Sequence, residues 1–194
     1  EPKEEEEPVE ENILYETVQD LYKIIGSNPE FRYEESVTYE TLSENVRDSI
    51  VINSLDNECK ENSTYVKELF ESKYKEIFGT EKLLSDGICT LDGGNYQCTK
   101  YCSEFGPAIY NKYLKYEILD DLIIIYETAG HFDYHDDGKI YLKENASDEL
   151  AIASFNSLTE FEASAVEYKL PTYAHTFKKL EDKYYWLMSE KVEQ

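Results

Sequence analysis

Tyr113-Leu114-Lys115-Tyr116-Glu117-Ile118, then Leu119-Asp120-Asp121, then Leu122-Ile123-Ile124-Ile125-Tyr126-Glu127: this stretch decides the fold. The first six residues are rich in Tyr and aliphatic side chains, which suit a pleated, half-buried surface. The middle three supply a turn. The last six open with a continuous aliphatic run, the pattern of a strand buried on both faces. Together they read as two antiparallel strands.

Upstream the period is that of helices. Ile13, Leu14, Val18, Leu21, Tyr22 and Ile25 form one face of a helix over 12–26, stopped at Gly26 with Pro29 beyond. A second helix is expected over 39–55. Thr41 and Glu44 serve as its capping box, and Val46, Ile50, Val51 and Leu55 as its stripe. A third is expected to start behind Ser63, to present Val66, Leu69, Phe70, Tyr74, Ile77 and Phe78, and to end at Gly79.

Downstream, residues 139–143 read as a strand entered through Asp136-Asp137-Gly138, with 150–155 as its partner. Ser157 and Glu160 form a capping box for a helix over 157–169, halted before Pro171. A last hairpin joins 174–180 to 184–191 through Glu181-Asp182-Lys183. Helices first, then a mostly antiparallel sheet, gives an α+β domain with helices packed on a curved sheet. A cystatin-like or NTF2-like cone is the specific expectation. Residues 1–11, with seven acids, one Lys and two Pro, read as an acidic linker or stalk, and 12–194 as one domain.

The four cysteines are Cys59, Cys89, Cys98 and Cys102. A hairpin turning at Gly93-Gly94 sets Cys89 opposite Cys98. Cys59 then pairs with Cys102 by elimination. Two disulfides imply an oxidising compartment. A four-cysteine zinc site and reduced thiols are the competing readings, the first weakened by the lack of any C-x-x-C pair.

The formal charge of −23 repels phosphate backbones and anionic membranes, and no basic stripe interleaved with aromatics occurs, so nucleic-acid binding is not expected. Such a surface suits solubility, cations or a basic partner. The longest aliphatic run, 122–125, is far short of the roughly 20 residues of a membrane helix. The chain opens on Glu1 and its single Met is Met188. The start of the chain is therefore expected to be missing, through processing or truncation.

Candidate sites are few. From Asp133 to Glu144 the chain follows a calcium-loop spacing, with Asp133, Asp137 and Glu144 as oxygen ligands and Gly138 at the sharp turn. His135 offers nitrogen where oxygen is required, and the segment ahead reads as a strand, so a simple β-turn competes with calcium. His131 and His135 stand four apart, a zinc spacing only on a helix. They are also the candidates for a hydrolase site with an acidic partner, while His175 reads as structural. Catalytic residues are otherwise unknown: with 42 acids, carboxylate spacings are uninformative, and no G-x-S-x-G, P-loop or G-x-G-x-x-G is present. Asn62-Ser63-Thr64 and Asn145-Ala146-Ser147 match the N-glycosylation pattern.

Residues 75–80 (Lys75-Glu76-Ile77-Phe78-Gly79-Thr80), 137–142 and 175–179, with Tyr184-Tyr185-Trp186, resemble uncharacterised surface proteins of low-GC, gut-dwelling Gram-positive bacteria. The resemblance covers roughly residues 60–190 and rests on short structural phrases. It implies export and an N-terminal membrane anchor, and it supplies no activity and no site residues. The expected function is a surface-displayed binding module for a protein, glycan or small ligand. A secreted hydrolase and a calcium-stabilised structural domain are the alternatives.

Overall fold

The aliphatic run at 122–125 lies inside a longer strand, β6 (Leu122–Tyr134), paired along one edge with β5 (Ala108–Leu119). Asp120, at φ 54°, and Asp121 make the turn between them. The computed structural model describes residues 9–32, 34–56, 58–83, 87–100, 102, 108–144, 148–164 and 170–192. Among these, the opposite edge of β6 is shared by two strands in succession. Residues 122–128 pair with β9 (Thr172–Leu180), and 131–134 pair with β7 (Ile140–Lys143). The exchange falls at Gly130, where an added Cβ would lie 2.9 Å from the Lys143 carbonyl oxygen, so the close approach needs glycine. Beyond β9 lie β10 (Lys183–Val192) and β1 (Ser36–Thr38), and beyond β7 lies β8 (Ala153–Phe155). Every pairing is antiparallel.

The two faces are covered at opposite ends. Helices α1 (Val9–Gly26), α2 (Glu44–Leu55) and α3 (Lys67–Phe78) close the face that carries Ile123, Ile125, Phe177 and Trp186. On α1, Val18, Leu21 and Ile25 are buried at helical spacing; each contributes about 1.5–3 kcal/mol of burial. A second cluster of Ile140, Leu142, Phe155, Phe161 and Leu170 sits at the far end of β6, with Phe161 supplied by α4 (Leu158–Ser164). The architecture is α+β with curved, mostly antiparallel sheets.

A separate three-stranded sheet, β2 (Asn62–Val66), β4 (Asn95–Thr99) and β3 (Cys89–Asp92), carries one disulfide, and the other joins Cys59 ahead of β2 to Cys102 beyond β4. Its hairpin register sets Cys89 against Cys98, and they are bonded. Gly93 and Gly94 turn at φ 55° and 88°, values that favour glycine. Cys59 bonds Cys102. No described cysteine is free. Two disulfides fit an extracellular or otherwise oxidising environment. No described helix is long and apolar enough to cross a membrane.

Several expected boundaries move. Residues 1–8 of the acidic run lie outside the described residues, and α1 begins at Val9 rather than at 12. The second helix starts at Glu44, because Ser43, not Thr41, is the cap: its Oγ accepts from the Val46 N–H at 3.4 Å. Thr41 instead closes the preceding turn onto Thr38. Ser63 is no cap at all, since 62–66 form β2 against β4 and the third helix starts at Lys67. Gly79 ends that helix in the left-handed conformation, as expected. Ser157 caps α4 through the Glu160 N–H at 3.1 Å, while 165–169 lie outside the described residues.

Candidate functional site

Along β6 the odd-numbered side chains face the helices, so Glu127 enters the core between Ile125 and Ala129. A carboxylate there must be paired, and side chains from four other segments pair it. Arg32, at the end of a 3-10 turn (Pro29–Arg32), bonds Glu127 Oε1 through Nε and holds the carbonyls of Asn28 and Ile25 at 2.9 and 3.1 Å. His175 Nε2 meets the same oxygen at 2.9 Å. Tyr22 Oη and Asn111 Nδ2 each donate to Oε2 at 3.0 Å. Arg32, Glu127, His175 and Ser189 are all wholly buried.

The chain of bonds continues to Ser189, whose Oγ lies 2.7 Å from His175 Nδ1 and accepts the Trp186 indole N–H at 2.9 Å. A regular strand would turn residues 186 and 189 to opposite faces. A bulge between Trp186 and Met188 brings both inward, opposite Phe177 and His175. The partners assign the protons. An ionised carboxylate only accepts, so His175 carries its proton on Nε2. The indole only donates, so the Ser189 hydroxyl turns its own proton to Nδ1.

Burial alone would lift the Glu127 carboxyl. The Arg32 charge and the bonds from His175 and Arg32 outweigh it and hold that carboxyl well below its usual range. Burial lowers His175, and Glu127 offsets only part of this, so the imidazole is neutral. One cation and one anion thus cancel in the core.

Serine, histidine and glutamate in series are the parts of a nucleophilic triad. Here the imidazole is reversed, with Nδ1 toward the serine. The serine oxygen is already occupied by an indole N–H, and none of the three side chains reaches solvent. The arrangement orients core strands; a substrate carbonyl has no room beside Ser189.

A cleft opens elsewhere, between α1, the end of α2, α3 and the β9–β10 turn. Two adjoining hollows of about 430 and 520 Å³ share Asp20, Leu21, Glu76 and Tyr184. Their size falls in the range of small-ligand sites. Leu21 and Tyr184 provide an apolar and aromatic surface. Lys23 pairs with Asp20 at 2.7 Å and Lys73 with Glu76 at 2.8 Å. Lys179 stands 5.9 Å over the Tyr184 ring. On a chain of charge −23, this cleft is lined by four lysines (Lys23, Lys73, Lys179, Lys183) and three acids (Asp20, Glu76, Asp182).

The residues singled out from sequence fall apart. Asp133 pairs with Lys143 at 2.8 Å across the β6–β7 hairpin, and Glu144 with Lys191 at 3.4 Å. Asp137 closes the turn, accepting from the Lys139 N–H at 3.0 Å and the Tyr141 hydroxyl at 2.8 Å. The strand carries these carboxylates away from one another instead of wrapping them around an ion. Gly138, at φ 79°, serves a hairpin. Among the described residues no group of three or more His, Cys, Asp or Glu side chains converges as a metal requires. His131 is buried, and burial lowers it to about 4. His135 is exposed at the turn, its ring 4.5 Å from that of Tyr141, so the two histidines share no site. His175, read from sequence as structural, is fully buried and bonded through both ring nitrogens. Asn62 is exposed on β2, and Asn145 lies outside the described residues.

Sequence reasoning missed Arg32, Asn111, Ser189 and the cleft. The available signal was Glu127, a charge at an inward position of an otherwise apolar strand. Comparison with family models, with curated proteins and with solved structures finds no match to this chain.

Proposed function

We propose that the chain is an extracellular binding module, displayed at a cell surface, that takes a small polar ligand in the cleft between α1, α3 and the β9–β10 turn. The observation that carries this reading is the pairing of all four cysteines, which suits a life outside the reducing cytosol. The cleft adds a place for a ligand: Tyr184 offers a ring face for stacking, and lysines and acids on its rim offer partners to a ligand with both donors and acceptors. The resemblance to anchored surface proteins points the same way.

The test is a titration of isotope-labelled protein with soluble oligosaccharides and short basic peptides, read by amide chemical shifts. The reading expects at least one class to move Leu21, Lys73 and Tyr184 together, and Tyr184→Ala to weaken that binding at least tenfold. Shifts confined to other surfaces, or none from either class, would overturn it.

A further inference from the structure

One buried cation is held by more than its ion pairs. Lys82 lies on the segment that follows Gly79, and its side chain is 1% exposed although Leu83 beside it is 67% exposed. Among residues 80–83 only the lysine is buried. Its Nζ lies 2.5 Å from Asp48 Oδ1 and 2.6 Å from Glu44 Oε1. Three ring centroids stand around it, Tyr74 at 5.6 Å, Tyr96 at 5.8 Å and Phe70 at 5.9 Å. Two carboxylates and three aromatic faces on one ammonium group are the ingredients by which proteins recognise alkylammonium ligands.

The walls are fixed by partners other than Lys82. Arg47 holds the second oxygen of Glu44 at 2.7 Å. The Cys89 N–H donates to the second oxygen of Asp48 at 3.1 Å. Tyr96 Oη donates to Glu71 at 2.9 Å, and Tyr74 Oη shares a bond with Tyr39 Oη at 3.0 Å. A simple ion pair loses its geometry when one member leaves. Here Glu44, Asp48, Tyr74 and Tyr96 keep the partners just named, and Phe70 packs on Tyr96 with ring centroids 4.7 Å apart.

We propose that the seam between α2 and α3 is an alkylammonium-binding cage, occupied in this conformation by the chain's own Lys82, and able to take a free alkylammonium group such as the side chain of another lysine. The tethered lysine competes at an effective concentration on the order of millimolar or more. In the intact chain the cage therefore stays closed to dilute amines and answers to a basic partner that brings lysine close. The strongly acidic surface draws such a partner in.

The test vacates the cage with Lys82→Ala and offers n-butylammonium, the lysine side chain without its backbone, with n-butanol as the uncharged counterpart. At a tenfold excess over Kd, the cation raises Tm of the variant by roughly 3–6 °C. Butanol does not, the wild-type protein does not respond, and a further Asp48→Asn removes the effect. If Lys82→Ala does not fold alone, the same cation restores the buried Trp186 fluorescence on refolding, and butanol does not. Equal responses to butanol and butylammonium overturn the proposal. So do equal responses of wild type and variant, which would mean cation binding to the general acidic surface, or no response of the variant in either melting or refolding.

Discussion

Replacing Glu127 with Gln keeps the shape of the side chain and removes its charge. Four donors converge on the two carboxylate oxygens: Arg32 and His175 on Oε1, Tyr22 and Asn111 on Oε2. An amide has one oxygen, and its nitrogen would face donors. Half of the bonds are lost, and the Arg32 guanidinium, with a fully buried side chain, is left without a counter-charge. Breaking one partner of a buried pair costs about 3–5 kcal/mol. Urea unfolding followed by the single tryptophan reads this directly, because Trp186 is 3% exposed and belongs to the same network. Glu127→Gln lowers stability by about 3–5 kcal/mol, and a second change, Arg32→Met, recovers part of the loss by removing the stranded charge. A loss below about 1 kcal/mol, or a double variant as unstable as the sum of its parts, would refute the claim that this ion pair organises the core.

Acid weakens the fold in two stages. His131 is lowered to about 4 by burial, and burial lowers His175 too, so the unfolded chain takes up these protons first. The contribution of His131 is fully present above pH 6.5 and falls toward pH 4 by about 1.4 kcal/mol per unit, and His175 adds a loss in the same direction below pH 6.5. Glu127, held low by Arg32, adds its own loss below about pH 4.3. Urea midpoints that stay flat from pH 6.5 to 4.5 contradict the burial of these histidines. Replacing Cys59 and Cys102 with Ser opens a loop of sequence separation 43 and costs about 4 kcal/mol by loop entropy. The shorter bridge, with separation 9, costs about 2.5 kcal/mol. Equal costs in denaturant titrations would count against the entropic account. Calcium and EDTA leave the melting midpoint unchanged, since Asp133, Asp137 and Glu144 are engaged by protein partners. A calcium-dependent rise would reinstate the loop.

Strands and hairpins were legible where the signal is local. The β3–β4 hairpin is written in Gly93-Gly94, and β5–β6 in two apolar runs flanking Asp120-Asp121. The same locality misled at Ser63. Residues 62–66 have no strong alternation, and their partner strand lies some thirty residues further on, so a helix cap was the better local reading of what is in fact an edge strand. Strand β1 is three residues long and is formed by β10, from the other end of the chain. The calcium pattern failed because spacing along a sequence converges on an ion only when the backbone curls, and here it runs straight into a hairpin. The core network was hidden for a related reason. Arg32, Glu127, His175 and Ser189 are spread over the whole chain, and Ser189 faces inward only because a bulge shifts the parity of β10. Glu127 alone announced that something must neutralise it.

Four bridged cysteines, and the oxidising environment that they fit, underlie the proposed function. Peptide mapping under non-reducing conditions, on protein recovered after export, tests this most directly. It should find Cys59 joined to Cys102 and Cys89 to Cys98, with no free thiol. Free thiols in the folded, exported protein, or any other pairing, would contradict it.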